Sequence, residues 1–202
     1  TPLYSSAASD VYKRQGYIRY KDLNGDGSID DRDRAVSGNL TPSITYAFNF
    51  SVGWKGVELS AQFQGVADVY TYLSGNLAAP FWNGAGVLKE WTTDAWTEEN
   101  HNSRLPILHT ATGAPEMHNY KNTQWLYDAS YLRCKQLQLS WTMPEKWMKV
   151  IKMKQIQLFV NGQNLFTFSP LKMFDPEIDL SSTNLIQYPS LKTYNFGFNI
   201  TF

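Results

Sequence analysis

Tyr194, Phe196, Phe198, Ile200 and Phe202 alternate with Thr193, Asn195, Gly197, Asn199 and Thr201, and this pattern constrains the fold more than any other feature of the chain. Side chains two apart share one face of a strand, so one face here is aromatic and the other small or polar. The pattern recurs upstream, with Ile44, Tyr46, Phe48, Phe50, Val52 and Trp54 set against Thr45, Ala47, Asn49, Ser51 and Gly53. After a Lys55-Gly56 turn, Val57, Leu59, Ala61 and Phe63 stand opposite Glu58, Ser60, Gln62 and Gln64, which is a hairpin signal. Two weaker strands follow, roughly Tyr131 to Trp141 and Lys154 to Leu165. Their apolar rows are Leu137, Leu139, Trp141 and Ile156, Leu158, Val160.

Half of a soluble β-sandwich also has one apolar and one polar face, but its polar face meets bulk water and usually carries many charges. The polar faces of the two clearest strands hold Asn, Thr, Ser and Gly, with no Lys or Glu. The connections alternate short and long: about two residues, then about sixty, about twelve and about twenty-five. Outer-membrane barrels alternate short periplasmic turns with long extracellular loops, whereas loops beyond about 15 residues are uncommon in compact soluble domains. With Phe202 at the periplasmic end, the Lys55-Gly56 turn and the Met143 to Met153 turn both fall on the periplasmic side. Trp54, Trp141 and Phe202 then end three strands where an aromatic girdle belongs. The expectation is all-β: an antiparallel up-and-down transmembrane β-barrel segment with long extracellular loops.

Bulk properties agree. Aromatic residues make up 15% of the 202 positions. No apolar run is long enough for a spanning helix, but a spanning strand needs only about 9–11 residues, half of them apolar. The 18 basic and 18 acidic residues cancel, which argues against a nucleic-acid partner. Cys134 is the sole cysteine, so there is no disulfide framework and no cysteine metal site. No signal peptide opens the chain, so an exported protein would lack its natural start here. Thr1 to Gln15 show no apolar period, and Asp10 to Gln15 resemble the translation of a sequencing-transposon end. We therefore expect residues 1–15 to be a read artefact or a disordered leader, and residues 16–202 to be the barrel segment, ending at the natural end of the protein.

Asp22 to Asp33 read DLNGDGSIDDRD. Asp22, Asn24, Asp26 and Asp33 occupy loop positions 1, 3, 5 and 12 of a calcium loop, with Gly27 at the sharp turn and Ile29 as anchor. Ser28 would add its backbone carbonyl, and Asp30 would act directly or through water. The loop departs from the EF-hand pattern by Asp at its last position, as in dockerin-like loops, which it resembles. A solvated Asp/Asn/Gly turn is the alternative. The expected ion is a structural Ca2+, and the expected geometry has the four side chains converging while Asp31 and Arg32 face away.

Catalytic patterns are absent. His101, His109 and His118 match no zinc motif, and neither a nucleophile elbow nor a phosphate loop occurs. Asp175 and Glu177 could be misread as a glycosidase carboxylate pair, but Pro176 and the loop setting suit a shaped extracellular turn. Trp82, Trp91, Trp96 and Trp125 would stack on sugar rings, or pack the long loop on itself or on a covering partner protein.

The acidic loop followed by Ser37-Gly38-Asn39, and the strand pair through Phe63-Gln64-Gly65, resemble SusC/RagA-type TonB-dependent transporters. So do Trp96-Thr97-Glu98-Glu99-Asn100, Asn161-Gly162-Gln163-Asn164-Leu165-Phe166-Thr167, Asp175-Pro176-Glu177 and Tyr188-Pro189-Ser190. The likeness runs from about Gly16 to Phe202. It implies a barrel of about 22 strands, of which this chain would hold about the last five, in the outer membrane of a Gram-negative bacterium. It also implies TonB acting through an absent N-terminal region, a SusD-like surface lipoprotein, outer-membrane lipid around the barrel, and import of oligosaccharides or peptides. The competing class is a soluble or surface-anchored carbohydrate-binding β domain with a structural calcium loop.

Overall fold

A computed structural model of the chain describes residues 16–81, 84, 86–109, 122–180 and 188–202. The segment 1–15 lies outside the described residues. In chain order the strands are β1 (Ile44–Trp54), β2 (Val57–Ala67), β3 (Tyr70–Tyr72), β4 (Ala95–Trp96), β5 (Leu105–Ile107), β6 (Leu126–Asp128), β7 (Tyr131–Thr142), β8 (Gln155–Gln163), β9 (Thr167–Phe168) and β10 (Thr193–Thr201). No described helix is long and apolar enough to cross a membrane, which says nothing about strands. Two units divide the chain.

The larger unit comprises the described parts of Gly38–Thr71, Tyr127–Asp179 and Ile186–Phe202. Its sheet runs β1-β2-β7-β8-β10, every pair antiparallel, so the long strands neighbour one another in chain order. They hold 11, 11, 12, 9 and 9 residues, matching the length a tilted membrane-spanning strand requires. The up-and-down expectation holds for these strands, with β1 and β10 as the outer pair.

Register sorts the two faces. Phe48 pairs with Phe63 and Phe50 with Ala61, while Phe196 pairs with Val160 and Phe198 with Leu158. This face is open: Phe48, Phe50, Val52, Leu139, Val160 and Phe198 are exposed, and Phe196 reaches 86%. The other face is a band of amides, in which Asn49 pairs with Gln62, Gln62 with Gln136, Gln138 with Asn161, and Asn161 with Asn195. Asn195 donates to Asn161 Oδ1 at 2.9 Å, and Asn199 to Gln157 Oε1 at 3.3 Å. Such cross-strand pairs hold a sheet in register without charge.

The Lys55-Gly56 turn has positive φ at both residues, 50° and 84°. That is the twist-compatible form of a two-residue hairpin. The Met143 to Met153 connection, expected only as a turn, contains a helix at Glu145–Ile151 that a left-handed Lys152 closes. Seven residues are too few to show a helical period. The helix sets Trp147 edge-on to Trp141, ring centroids 6.0 Å apart, beside the Trp54 end of the sheet.

The smaller unit comprises the described parts of Thr1–Ser37, Tyr72–Leu126 and Leu180–Leu185. It holds the parallel pair β4–β5 and the helix Lys89–Asp94. Leu73, Leu77, Trp91, Leu105 and Trp125 are buried there. The long connection after β2 therefore carries structure of its own. Its strands of two or three residues are too short to alternate visibly.

Candidate functional site

The acidic loop folds as a set of Asx turns. Asp22 accepts from the backbone N–H groups of Gly25 at 2.6 Å and Gly27 at 2.8 Å. Asn24 Oδ1 accepts from Asp26 N, and Asp26 Oδ1 from Ser28 N. Asp33 closes the loop, taking Leu23 N and Asn24 N on one oxygen and Asp30 N on the other. Hydrogen bonds from the backbone of Asp30 and then Leu23 favour its ionised form and lower its pKa. Gly25 and Gly27, with φ of 78° and 84°, make the tight path possible.

One part of the expectation is corrected. Arg32 stays exposed but folds back over the loop: its Nε donates to Asp30 Oδ2 at 3.1 Å, and its Nη1 lies 3.7 Å from Asp26 Oδ2. A cation on a short tether settles beside the nearest uncompensated carboxylates. Asp31 faces away and pairs with Arg34. Among the described residues no three His, Cys, Asp or Glu side chains are grouped to hold a metal ion.

His101 stacks on Trp96, centroids 5.6 Å apart, and His109 lies 5.0 Å from the Tyr17 ring, with burial lowering its pKa. His118 and Trp82 fall outside the described residues. Trp91 and Trp125 are buried against each other at 5.9 Å, so of the roles expected for them they take self-packing.

The most organised polar cluster is one that no motif in the sequence brings together. Along β7 the apolar row is Leu137, Leu139 and Trp141, and strict alternation would add Arg133 to it. The register against β2 shifts between Gln62 and Phe63, so Gln62 faces Gln136, Phe63 faces Cys134 and Gln64 faces Arg133. The extra residue, Lys135, is a β-bulge, and a bulge re-aims the side chains on its far side. Arg133 thereby crosses to the amide face. The NGQNLFT segment accommodates the bulge: Asn164, at φ 51°, turns the chain so that Asn164 N, Leu165 N and Phe166 O bond the backbone of Lys135 and Cys134. β9 then continues the pairing along β7.

On that face Arg133 is 2% exposed. Its guanidinium forks, Nη2 donating to Asp175 Oδ1 at 2.5 Å and Nη1 to Glu177 Oε2 at 2.9 Å. Glu177 Oε1 also accepts from Tyr131 Oη and Lys135 Nζ, each at 2.7 Å. Ser190 donates its N–H to Asp175 Oδ2 and its hydroxyl to Glu177 Oε2. Burial raises both carboxylates, but the Arg133 hydrogen bond at Asp175, and those of Lys135 and Tyr131 at Glu177, outweigh it and leave both pKa values below normal. Two acids locked onto an arginine cannot act as a proton-donor and nucleophile pair, so DPE and YPS form a clamp. A visible signal existed, since Arg133 and Lys135 interrupt a strand whose polar positions are otherwise Gln, Ser and Thr.

No family model matches the chain. It is 29% identical over 195 residues to TonB-dependent receptor P3 of Formosa agariphila, covering 91% of this chain and 19% of that protein. It is 23% identical over 185 residues to TonB-dependent receptor SusC of Bacteroides thetaiotaomicron, covering 91% of this chain and 17% of SusC. The homologues of this chain are TonB-dependent receptors. The RagAB peptide importer in its open-open state aligns at a TM-score of 0.62 with 27% identity, over 83% of this chain and 18% of that one. Its closed-closed state aligns at 0.64 with 23% identity and supports the fold alone. The chain thus spans about a fifth of the length of these relatives. They are receptors and transporters rather than enzymes.

Proposed function

We propose that this chain forms part of the barrel wall of a TonB-dependent importer in the outer membrane of a Gram-negative bacterium. In the same reading, a SusD-like lipoprotein covers the extracellular side and TonB energises the transporter through regions beyond this sequence. The observation that carries the proposal is the two-faced sheet, with an open apolar row backed by a polar face in which amide side chains predominate. Lipid would cover the first and a water-filled lumen would wet the second. A soluble carbohydrate-binding domain would need a second layer over the aromatic row, and no described residue supplies one. The substrate class we infer is oligosaccharide or peptide, the latter following the likeness to a peptide importer.

We further propose a structural calcium ion on the loop of Asp22, Asn24, Asp26, Ser28, Asp30 and Asp33. Support comes from the oxygen-rich spacing and the Asx turns that already wrap it. Binding would require Arg32 to leave Asp26 and Asp30, exchanging one cation for another.

Expression of the full reading frame with its neighbouring genes in a Gram-negative host tests the import reading. The protein should fractionate with outer membranes, copurify with a lipoprotein, and restore uptake of an oligosaccharide or peptide in a tonB-positive strain only. Recovery of the protein in the soluble fraction would overturn this function.

A further inference from the structure

The clamp forms one wall of a cavity of about 390 Å3 in the larger unit, whose lining includes Arg133, Lys172, Phe174, Asp175, Ser190 and Lys192. That size suits a single sugar ring or amino-acid residue, since small-molecule sites begin at about 300 Å3. The charges in the lining do not balance. Asp175 is neutralised by Arg133, and its oxygens are occupied, Oδ1 by Arg133 and the Glu177 N–H, Oδ2 by the Ser190 N–H. Glu177 is shared between Arg133 and Lys135. Lys172 and Lys192 have no carboxylate partner among the described residues, and both side chains are exposed. Arg133 adds a buried donor, its Nε, which has no acceptor among the described residues.

A concave site with two uncompensated cations, backed by a buried arginine whose own acids are already engaged, is complementary to an anionic group. We propose that this cavity binds a carboxylate group of the imported ligand, with Lys172 and Lys192 supplying the counter-charge and Phe174 and Pro176 the apolar wall. The clamp engages both Asp175 oxygens, and neither lysine is paired with them. A uronic acid in an oligosaccharide and a free carboxyl in a peptide present the same group. The inference rests on the import reading only for the origin of the ligand.

The test is calorimetric titration of the detergent-purified receptor, expressed from its full reading frame, with galacturonic acid, galactose, N-acetyl-phenylalanine and N-acetyl-phenylalanine amide. At least one acid should bind, and its neutral counterpart should bind at least about tenfold more weakly. The double variant Lys172→Gln/Lys192→Gln should lower acid affinity about tenfold, whereas Lys172→Arg/Lys192→Arg should retain it and leave the melting temperature unchanged. Which acid binds identifies the source. Equal binding of acid and neutral forms, no binding of either acid, or indifference to the Gln pair overturns the site. A receptor that imports normally yet ignores both acids refutes the cavity and leaves the import reading standing.

Discussion

Arg133 and Asp175 lie 42 residues apart in the chain, yet the Arg133 guanidinium reaches the Asp175 carboxylate at 2.5 Å with its side chain only 3% exposed. This contact ties the connection between β8 and β10 back onto β7. Removing one partner of a buried ion pair leaves the other charge stranded, at a cost of about 3–5 kcal/mol. Arg133→Ala should therefore destabilise the larger unit by about that amount in urea unfolding of the purified receptor. It should also expose the Asn164 to Lys192 connection to protease. Unchanged stability would show that the clamp is dispensable.

The same clamp predicts acid sensitivity. Asp175 and Glu177 are held below their ordinary values of 3.8 and 4.5. A depressed carboxylate contributes stability in full above its unfolded-state pKa and loses it as pH falls through the folded one. The connection should stay resistant to pepsin at pH 5 and become cleavable at a lower pH, once both groups protonate. Asp175→Asn should move the onset upward. An onset that does not respond to this variant would assign the transition to other carboxylates.

Gly65 faces Tyr46 across β1 and β2, and Tyr46 Oη donates to the Tyr131 carbonyl at 3.0 Å. A Cβ at position 65 would press on that carbonyl and come within 2.6 Å of the Tyr46 ring. Gly65→Ala should cost about 1–3 kcal/mol by overpacking, and Tyr46→Phe about 1 kcal/mol for the lost hydrogen bond. Because the added methyl displaces the Tyr46 ring, the two effects should not add in a double-mutant cycle. Additive losses would disprove the coupling.

Neighbouring residues on β1 should respond oppositely to charge. Phe50 belongs to the open aromatic row and Asn49 to the amide face. In a bilayer, Phe50→Lys should cost about 2–4 kcal/mol, as for a cation at mid-membrane on the lipid side. Asn49→Lys should cost less than about 1 kcal/mol. Refolding of the receptor into lipid vesicles along a urea series would measure both. Equal costs would contradict a lipid-facing aromatic row.

Calcium should protect the acidic loop of the receptor from limited proteolysis. Asp22→Ala or Asp33→Ala should abolish the gain, because each also removes the oxygens that collect two or three backbone N–H groups. Arg32→Ala should strengthen the calcium effect by removing the competing cation. Proteolysis that is indifferent to calcium in the unaltered receptor would reduce the loop to a polar turn.

Much of the sheet was determined locally. A period of two places Phe48 and Asn49 on opposite faces wherever the strand ends up, and the Lys55-Gly56 pair sets the β1–β2 register by turn geometry alone. The acidic spacing likewise names its own Asx turns, since each side chain reaches a backbone N–H only a few residues away, and Asp33 no more than ten. The face that Arg133 occupies depended instead on a bulge opposite Phe63, and bulges arise from pairing between strands. Parity along β7 alone assigns Arg133 to the apolar row. The arginine's place on the amide face, beside its two acids, depends on β2, the NGQNLFT corner and the DPE segment together. Contacts spanning 42 residues are selected by the folded geometry, because no local preference distinguishes one carboxylate from another.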